Sequence, residues 1–145
     1  VMLGVVGYGG GLWHTWFDRD LSVAGRALVR AADGRLEPRL VSLPRPIARI
    51  PNLAIHLTSA DERSKGFAPN LQSHAPPMLA TGVREALWEE QGSAESTSAR
   101  GADEKASARH HPLLVRAVGA QLAVAPDDIV DFELQMVDTQ PATFG

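Results

Sequence analysis

Two runs of alternating residues, separated by Ala32-Asp33-Gly34, constrain this chain more than any other feature. Ser22 to Arg30 places Val23, Gly25, Ala27 and Val29 on one side of a strand, because successive side chains leave a strand on opposite faces. Asp-Gly supplies the positive φ values that a tight reversal needs, so Leu36 to Leu43 returns as the antiparallel partner. Pro38 has no N–H to give to a ladder, which puts that partner at an edge or a bulge. A further alternation comes late: Val130, Phe132, Leu134 and Met136 share one face of a strand running from Ile129 to Val137.

The intervening sequence is more broken. Leu3 to Val6 and Leu12 to Phe17 read as short strands on either side of a glycine triplet, Gly9 to Gly11. Pro44, Pro46 and Pro51 each disfavour helix in the residue before them and cut the chain into short extended pieces. Asn52 to Leu57 then alternates, with Leu53, Ile55 and Leu57 on one face and His56 on the other. Helical spacing follows in Met78 to Glu90, after Pro76-Pro77, and again from Pro112, where Leu114, Val115, Val118 and Leu122 form a stripe. Residues 91–109 carry Ser, Ala, Gly and charge without an aromatic, the composition of a mobile surface loop. Strands, then helices, then a closing strand predict an α+β domain on an antiparallel sheet.

The most distinctive wording is YGGGLWHTWFDRDLSVAGR, Tyr8 to Arg26. With RPIARIPNLAIHL (Arg45 to Leu57) and DIVDFELQMVDTQPATFG (Asp128 to Gly145), it resembles the second domain of the aspartyl aminopeptidases. These are dinuclear zinc exopeptidases that release N-terminal Asp and Glu. The three segments lie at the start, middle and end, so the resemblance spans residues 1–145. It implies a small antiparallel β-barrel or β-sandwich with two helices inserted in the second half. It also implies a dimerisation and lid domain, self-associating as a homodimer and, in the whole enzyme, as a dodecamer. The family's metal-binding motifs, His-Thr-Asp before this region and Asp, Glu-Glu, Asp and His after it, are absent here. With Val1 in place of an initiator methionine, the chain reads as one excised domain. The two zinc ions are then expected in the parent's catalytic domain, with none bound here and no peptidase activity from this domain alone.

The resemblance also implies a role for His56. The histidine at the AIHL position reaches across the dimer into the partner's active site, near the substrate carbonyl. There an imidazole, neutral or protonated, can donate a hydrogen bond to a developing oxyanion. Without the resemblance, a lone histidine in a short strand is more often structural.

Other residues invite chemistry and favour plainer readings. Asp18 and Asp20 could offer hard oxygen ligands to a metal. No further ligand is suitably spaced, so an Asp18-Arg19-Asp20 ion-pair and turn network is preferred to a site built with His14. Adjacent His110 and His111 diverge, and capping of the helix at Pro112 suits them better. His14 and His74 receive no catalytic duty. Gly9 to Gly11 lacks the spacing of a phosphate loop, and packing by Trp13, Trp16 and Phe17 explains it better. Asp138-Thr139-Gln140-Pro141 reads as a junction towards the catalytic domain.

The net charge of −3 is dispersed, which gives no footprint for nucleic acid or an anionic membrane. With no cysteine there is neither a disulfide framework nor a thiolate site, which accords with a cytoplasmic location. The expected partners are another copy, the missing catalytic domain and peptides with an acidic N-terminus. The alternative from a different class is a free-standing interaction module that binds extended peptides by strand addition.

Overall fold

The computed structural model describes residues 1–81, 106–141 and 143–144, with the side chains of 107 and 108 left aside. The chain divides into two compact units. One comprises Val1–Asp20 and Ile47–Glu90, the other Leu21–Pro46 and Gln91–Gly145.

The second unit is built on a three-stranded antiparallel sheet of order β2-β1-β3. Strand β1 (Leu21–Arg30) runs down the middle, flanked by β2 (Leu36–Ser42) and β3 (Ile129–Asp138). The expected hairpin is present. Gly34 takes φ +85°, its N–H donates to Ala31 O at 2.9 Å, and Ala31 N donates to Arg35 O at 2.8 Å. Pro38 sits opposite Leu28 on the edge strand, where its missing N–H costs the ladder least.

Leu21, Val23, Ala27 and Val29 of β1 are buried, with Val41 of β2 and Ile129 of β3. Full burial of side chains the size of Val29 and Ile129 stabilises by about 1.5–3 kcal/mol each. Ser22 is buried as well, and its hydroxyl donates to Leu43 O at 2.9 Å, which removes the cost of an unpaired polar group. Gly25 is needed for a different reason. A Cβ there would stand 2.1 Å from the Glu133 carbonyl oxygen, so the backbones of β1 and β3 meet closer than a side chain allows.

Helix α4 (Pro112–Leu122) buries Leu114, Val115 and Val118, as its spacing predicts. His111 caps it: Nδ1 accepts from Leu113 N at 3.2 Å, and Pro112 fills the first turn, where an N–H would be orphaned. The helix ends at Ala123, in the left-handed region at φ 54°. Just before it, a helical turn α3 (Ala106–Arg109) ends on Arg109, whose guanidinium donates to Val130 O at 3.0 Å and pairs with Asp131 at 3.2 Å. This occurs beside the register shift between β1 and β3 at Leu28/Val29.

The first unit has little regular structure. It holds a 3₁₀ turn at Trp13–Trp16, another at Ile55–Leu57, and two short helices, α1 (Ala60–Ser64) and α2 (Leu71–His74). Isolated bridges join Met2 to Met78, Phe17 to Ile50 and Arg49 to Met78. Around them Ala48, Ile50 and Pro77 are buried.

Several expectations need correction. Among the described residues the sheet is open and does not close into a barrel. The strands expected at Leu3 to Val6 and Leu12 to Phe17 are absent. Leu3 makes one backbone bond, to Pro77 O, and Val6 is almost wholly exposed. Leu12 to Phe17 coils instead, with Thr15 N and Oγ1 both donating to Leu12 O. Asn52 to Leu57 also lacks a ladder partner and winds into the 3₁₀ turn. Residues 106–109, expected in a loop, form α3, whereas 91–105 lie outside the described residues. So does the helix expected over Met78 to Glu90 from residue 82 onward; Met78 itself sits in bridges.

The close approach at Gly25 makes a stability prediction. Gly25→Ala should destabilise by about 1–3 kcal/mol, because backbone rather than a mobile side chain must move. Chemical denaturation measures it, and a midpoint equal to wild type would refute the tight β1–β3 register.

Candidate functional site

The loop 52–58 of the first unit carries His56, and its conformation is set by short-range hydrogen bonds. Leu57 N donates to Ala54 O at 2.8 Å, and Thr58 Oγ1 to Ile55 O at 3.0 Å. The turn is followed at once by α1, whose start is a reciprocal cap. Ser59 Oγ accepts from Glu62 N at 3.2 Å, while the Glu62 carboxylate accepts from Ser59 N at 2.7 Å. The Ser59 backbone N–H, then its hydroxyl, hold the Glu62 carboxyl below the usual range. Arg63, one residue on, turns back and donates from Nη1 to the carbonyls of Ile55, at 3.2 Å, and Thr58.

At the other end of the loop stands Asp18. Its two carboxylate oxygens accept from Asn52 N at 3.0 Å and Asn52 Nδ2 at 2.9 Å. Its own N–H donates to Ile50 O at 2.8 Å. The Asn52 backbone bond, then the side-chain bond, hold the Asp18 carboxyl below the usual carboxylate range, with a smaller pull from Arg49. Asp18 adopts φ 58°, a left-handed conformation that few residues other than glycine accept, though Asp accepts it better than most. Asp20 pairs with Arg49 at 2.5 Å.

The alternation expected at Asn52 to Leu57 does not produce a buried face. Leu53, Ile55 and Leu57 are 61%, 64% and 70% exposed, and His56 between them is exposed too. His56 is therefore not set apart from a core. It projects from a turn whose apolar neighbours are equally uncovered. Solvated apolar clusters of this kind are characteristic of surfaces that another protein covers.

The remaining candidates fall into structural places. Asp18 and Asp20 engage Asn52 and Arg49, and the ring of His14 meets Phe67 edge-on at 5.8 Å, so the three do not converge on one point. Among the described residues no group of three or more His, Asp or Glu is placed to hold a metal ion. His74 Nδ1 accepts from Asn70 N at 3.0 Å, His110 lies over Phe132 at 4.3 Å, and His111 is the cap already described. Trp13 covers the glycine segment, with its ring 3.3 Å from where a Gly7 Cβ would be and 3.8 Å from the Gly11 position. Gln140 N donates to Asp138 Oδ1 at 3.1 Å and makes a turn of the junction. Sequence reasoning missed the Asp18–Asn52 pair, which joins residues 34 positions apart and leaves no periodic trace.

An open depression on the outer sheet face is lined by Ala24, Arg26, Leu40, Ser42, Glu133 and Gln135. Arg26 and Glu133 pair across it at 3.0 Å. Among the described residues no helix is long and apolar enough to cross a membrane.

Comparison with known proteins bears out the resemblance carried by the three segments. The sequence profile of a family described as "Aminopeptidase I zinc metalloprotease (M18)" matches residues 1–145. An aspartyl aminopeptidase of Aspergillus oryzae is 44% identical over 155 residues, covering 100% of this chain and 30% of that protein. One from Dictyostelium discoideum is 41% identical over 149 residues, covering 99% of this chain and 31% of its own length. A chain in the cryo-EM structure of the Ape4 and Nbr1 complex matches with TM-score 0.76 at 37% identity, over 99% of this chain and 26% of that one. The structure of Chaetomium thermophilum mApe1 matches with TM-score 0.73 at 33% identity, over 100% and 29% of the two chains. This chain thus spans about 30% of the length of the curated relatives it matches.

The lowered Asp18 carboxyl has a pH consequence of definite sign. Its folded pKa lies below its unfolded one, so the unfolded chain takes up the proton first on acidification. The stability that Asp18 contributes is complete above about pH 4 and is lost as pH falls through the folded value. Thermal melts should show a shallower acid limb for Asp18→Asn than for wild type below about pH 4, and parallel limbs would remove this contribution.

Proposed function

Since the chain belongs to the aminopeptidase I zinc metalloprotease (M18) family, we propose that it is the dimerisation and lid domain of a zinc-dependent aspartyl aminopeptidase. The parent enzyme removes N-terminal Asp or Glu from peptides in the cytosol. This domain brings subunits together, first as a homodimer and then in a dodecamer. It also presents His56 to the neighbouring subunit's active site, where the imidazole N–H donates to the oxyanion forming on the substrate carbonyl.

The observation that carries this reading is the loop 52–57. Leu53, Ile55 and Leu57 flank His56, and all four are exposed. An intersubunit contact would cover the three apolar side chains and bring the histidine into a site on the partner. Among the described residues no group of three or more His, Asp or Glu is placed to hold a metal ion. On this reading the zinc ions belong to the remainder of the parent, and the isolated domain hydrolyses no peptide. A free-standing peptide-binding module accounts less well for relatives that extend far beyond this region.

The test uses the full-length parent enzyme with an N-terminal aspartyl substrate and light scattering to follow assembly. His56→Ala should remain assembled and lose about a hundredfold or more in kcat. Unchanged turnover would reduce the domain's part to assembly and access. Mixed assemblies of His56→Ala subunits with subunits lacking zinc ligands should regain partial activity, since intact His56 then meets an intact metal site across the interface. Failure to regain any would show that His56 does not act in trans.

A further inference from the structure

The His56 loop is gripped at both ends by side chains from outside it. At the start, both Asp18 oxygens hold Asn52, one on its backbone N–H at 3.0 Å and one on its side-chain amide at 2.9 Å. At the end, Arg63 holds the carbonyls of Ile55 and Thr58. Among the described residues His56 itself engages no hydrogen-bond or ion-pair partner. Its position is therefore inherited entirely from the backbone on which it sits.

We infer that Asp18 is a positioning residue for His56, fixing the loop in the conformation that delivers the imidazole across the subunit interface. This inference rests on the role proposed for His56. Three features of Asp18 point the same way. Its two-point grip on Asn52 is charge-assisted and directional, a type of contact that adds geometric specificity as well as energy. Its backbone is held at φ 58°, and a left-handed non-glycine residue persists only where the surroundings over-determine it. Its N–H bond to Ile50 O, at 2.8 Å, anchors it to a buried residue two positions before Asn52. Asp18 thus ties the exposed loop to one of the few buried points of its unit. Arg49 and Asp20 pair with each other alongside, at 2.5 Å, while both Asp18 oxygens accept from Asn52.

The role predicts a dependence that an ordinary stabilising contact would lack. Asp18→Asn keeps the size of the side chain but replaces one acceptor oxygen with a donor, which meets the Asn52 amide unfavourably. In the full-length parent enzyme, Asp18→Asn should lower kcat about tenfold, with KM for an N-terminal aspartyl substrate near wild type. Introduced into His56→Ala, the same change should cost nothing further, because residues acting as a unit are non-additive. Asn52→Ala removes the side-chain half of the grip without touching the φ of Asp18, and it should behave alike with a smaller loss. It serves in place of Asp18→Asn if that variant fails to assemble. If the losses of Asp18→Asn, or of Asn52→Ala, multiply with that of His56→Ala, Asp18 acts on the fold generally and the inference is overturned. If His56→Ala alone leaves kcat intact, the role proposed for His56 fails and positioning fails with it.

Discussion

Strand β1 hydrogen-bonds along both edges, and this double commitment governs the unit it belongs to. A strand paired on one side can slide or bulge to accommodate a poor side chain, but a central strand cannot. A slip of one residue would turn Val23, Ala27 and Val29 from the core to the solvent face in a single step. The position of Gly25 follows from the same constraint, since β3 approaches it too closely for a methyl group. The one irregularity, at Leu28/Val29, lies near the end of the pairing, and Arg109 satisfies the Val130 carbonyl there from outside the ladder. Core, helix and hairpin are thus all fitted to a strand with no freedom to adjust.

The first unit rests on a different balance. Its bridges are isolated and its helices short, so polar side chains define much of its local geometry. Asp18, Ser59, Glu62 and Arg63 each fix a backbone group within a few residues of the His56 turn. Exposed contacts of this type contribute little to stability individually. They do determine direction, which is what the role proposed for His56 requires. The exposed Leu53, Ile55 and Leu57 give the same loop apolar area that a covering surface would bury.

What the sequence revealed followed the range of the forces involved. The β1–β2 hairpin was legible because alternation and the Asp33-Gly34 turn act locally and agree. The α4 stripe and the β3 alternation were legible for the same reason, as was the cap at His111. Leu12 to Phe17 misled because aromatic residues favour strands only where a ladder forms, and here Phe17 alone is paired among the described residues, by its isolated bridge to Ile50. A six-residue apolar run such as Asn52 to Leu57 fits a strand and a turn equally on periodicity. The open sheet could not be foreseen, because closure depends on strands far apart in sequence. Within the candidate site, only the family resemblance distinguished His56 from an ordinary surface histidine. The Asp18–Asn52 grip depends on a contact across 34 positions, and nothing nearer in sequence announces it.

The order of pairing in the sheet has an architectural consequence. β1 takes as neighbours the next strand in the chain and the last, with residues 43–128 passing between. Closing so long a connection costs entropy that rises only with the logarithm of its length, so doubling it adds only about 0.6 kcal/mol. The sheet is thus nearly indifferent to how much sequence is spliced between β2 and β3. The inserted segment, which bears the His56 loop, can therefore lengthen, shorten or be rewritten at little entropic cost to the pairing of β1 with β3.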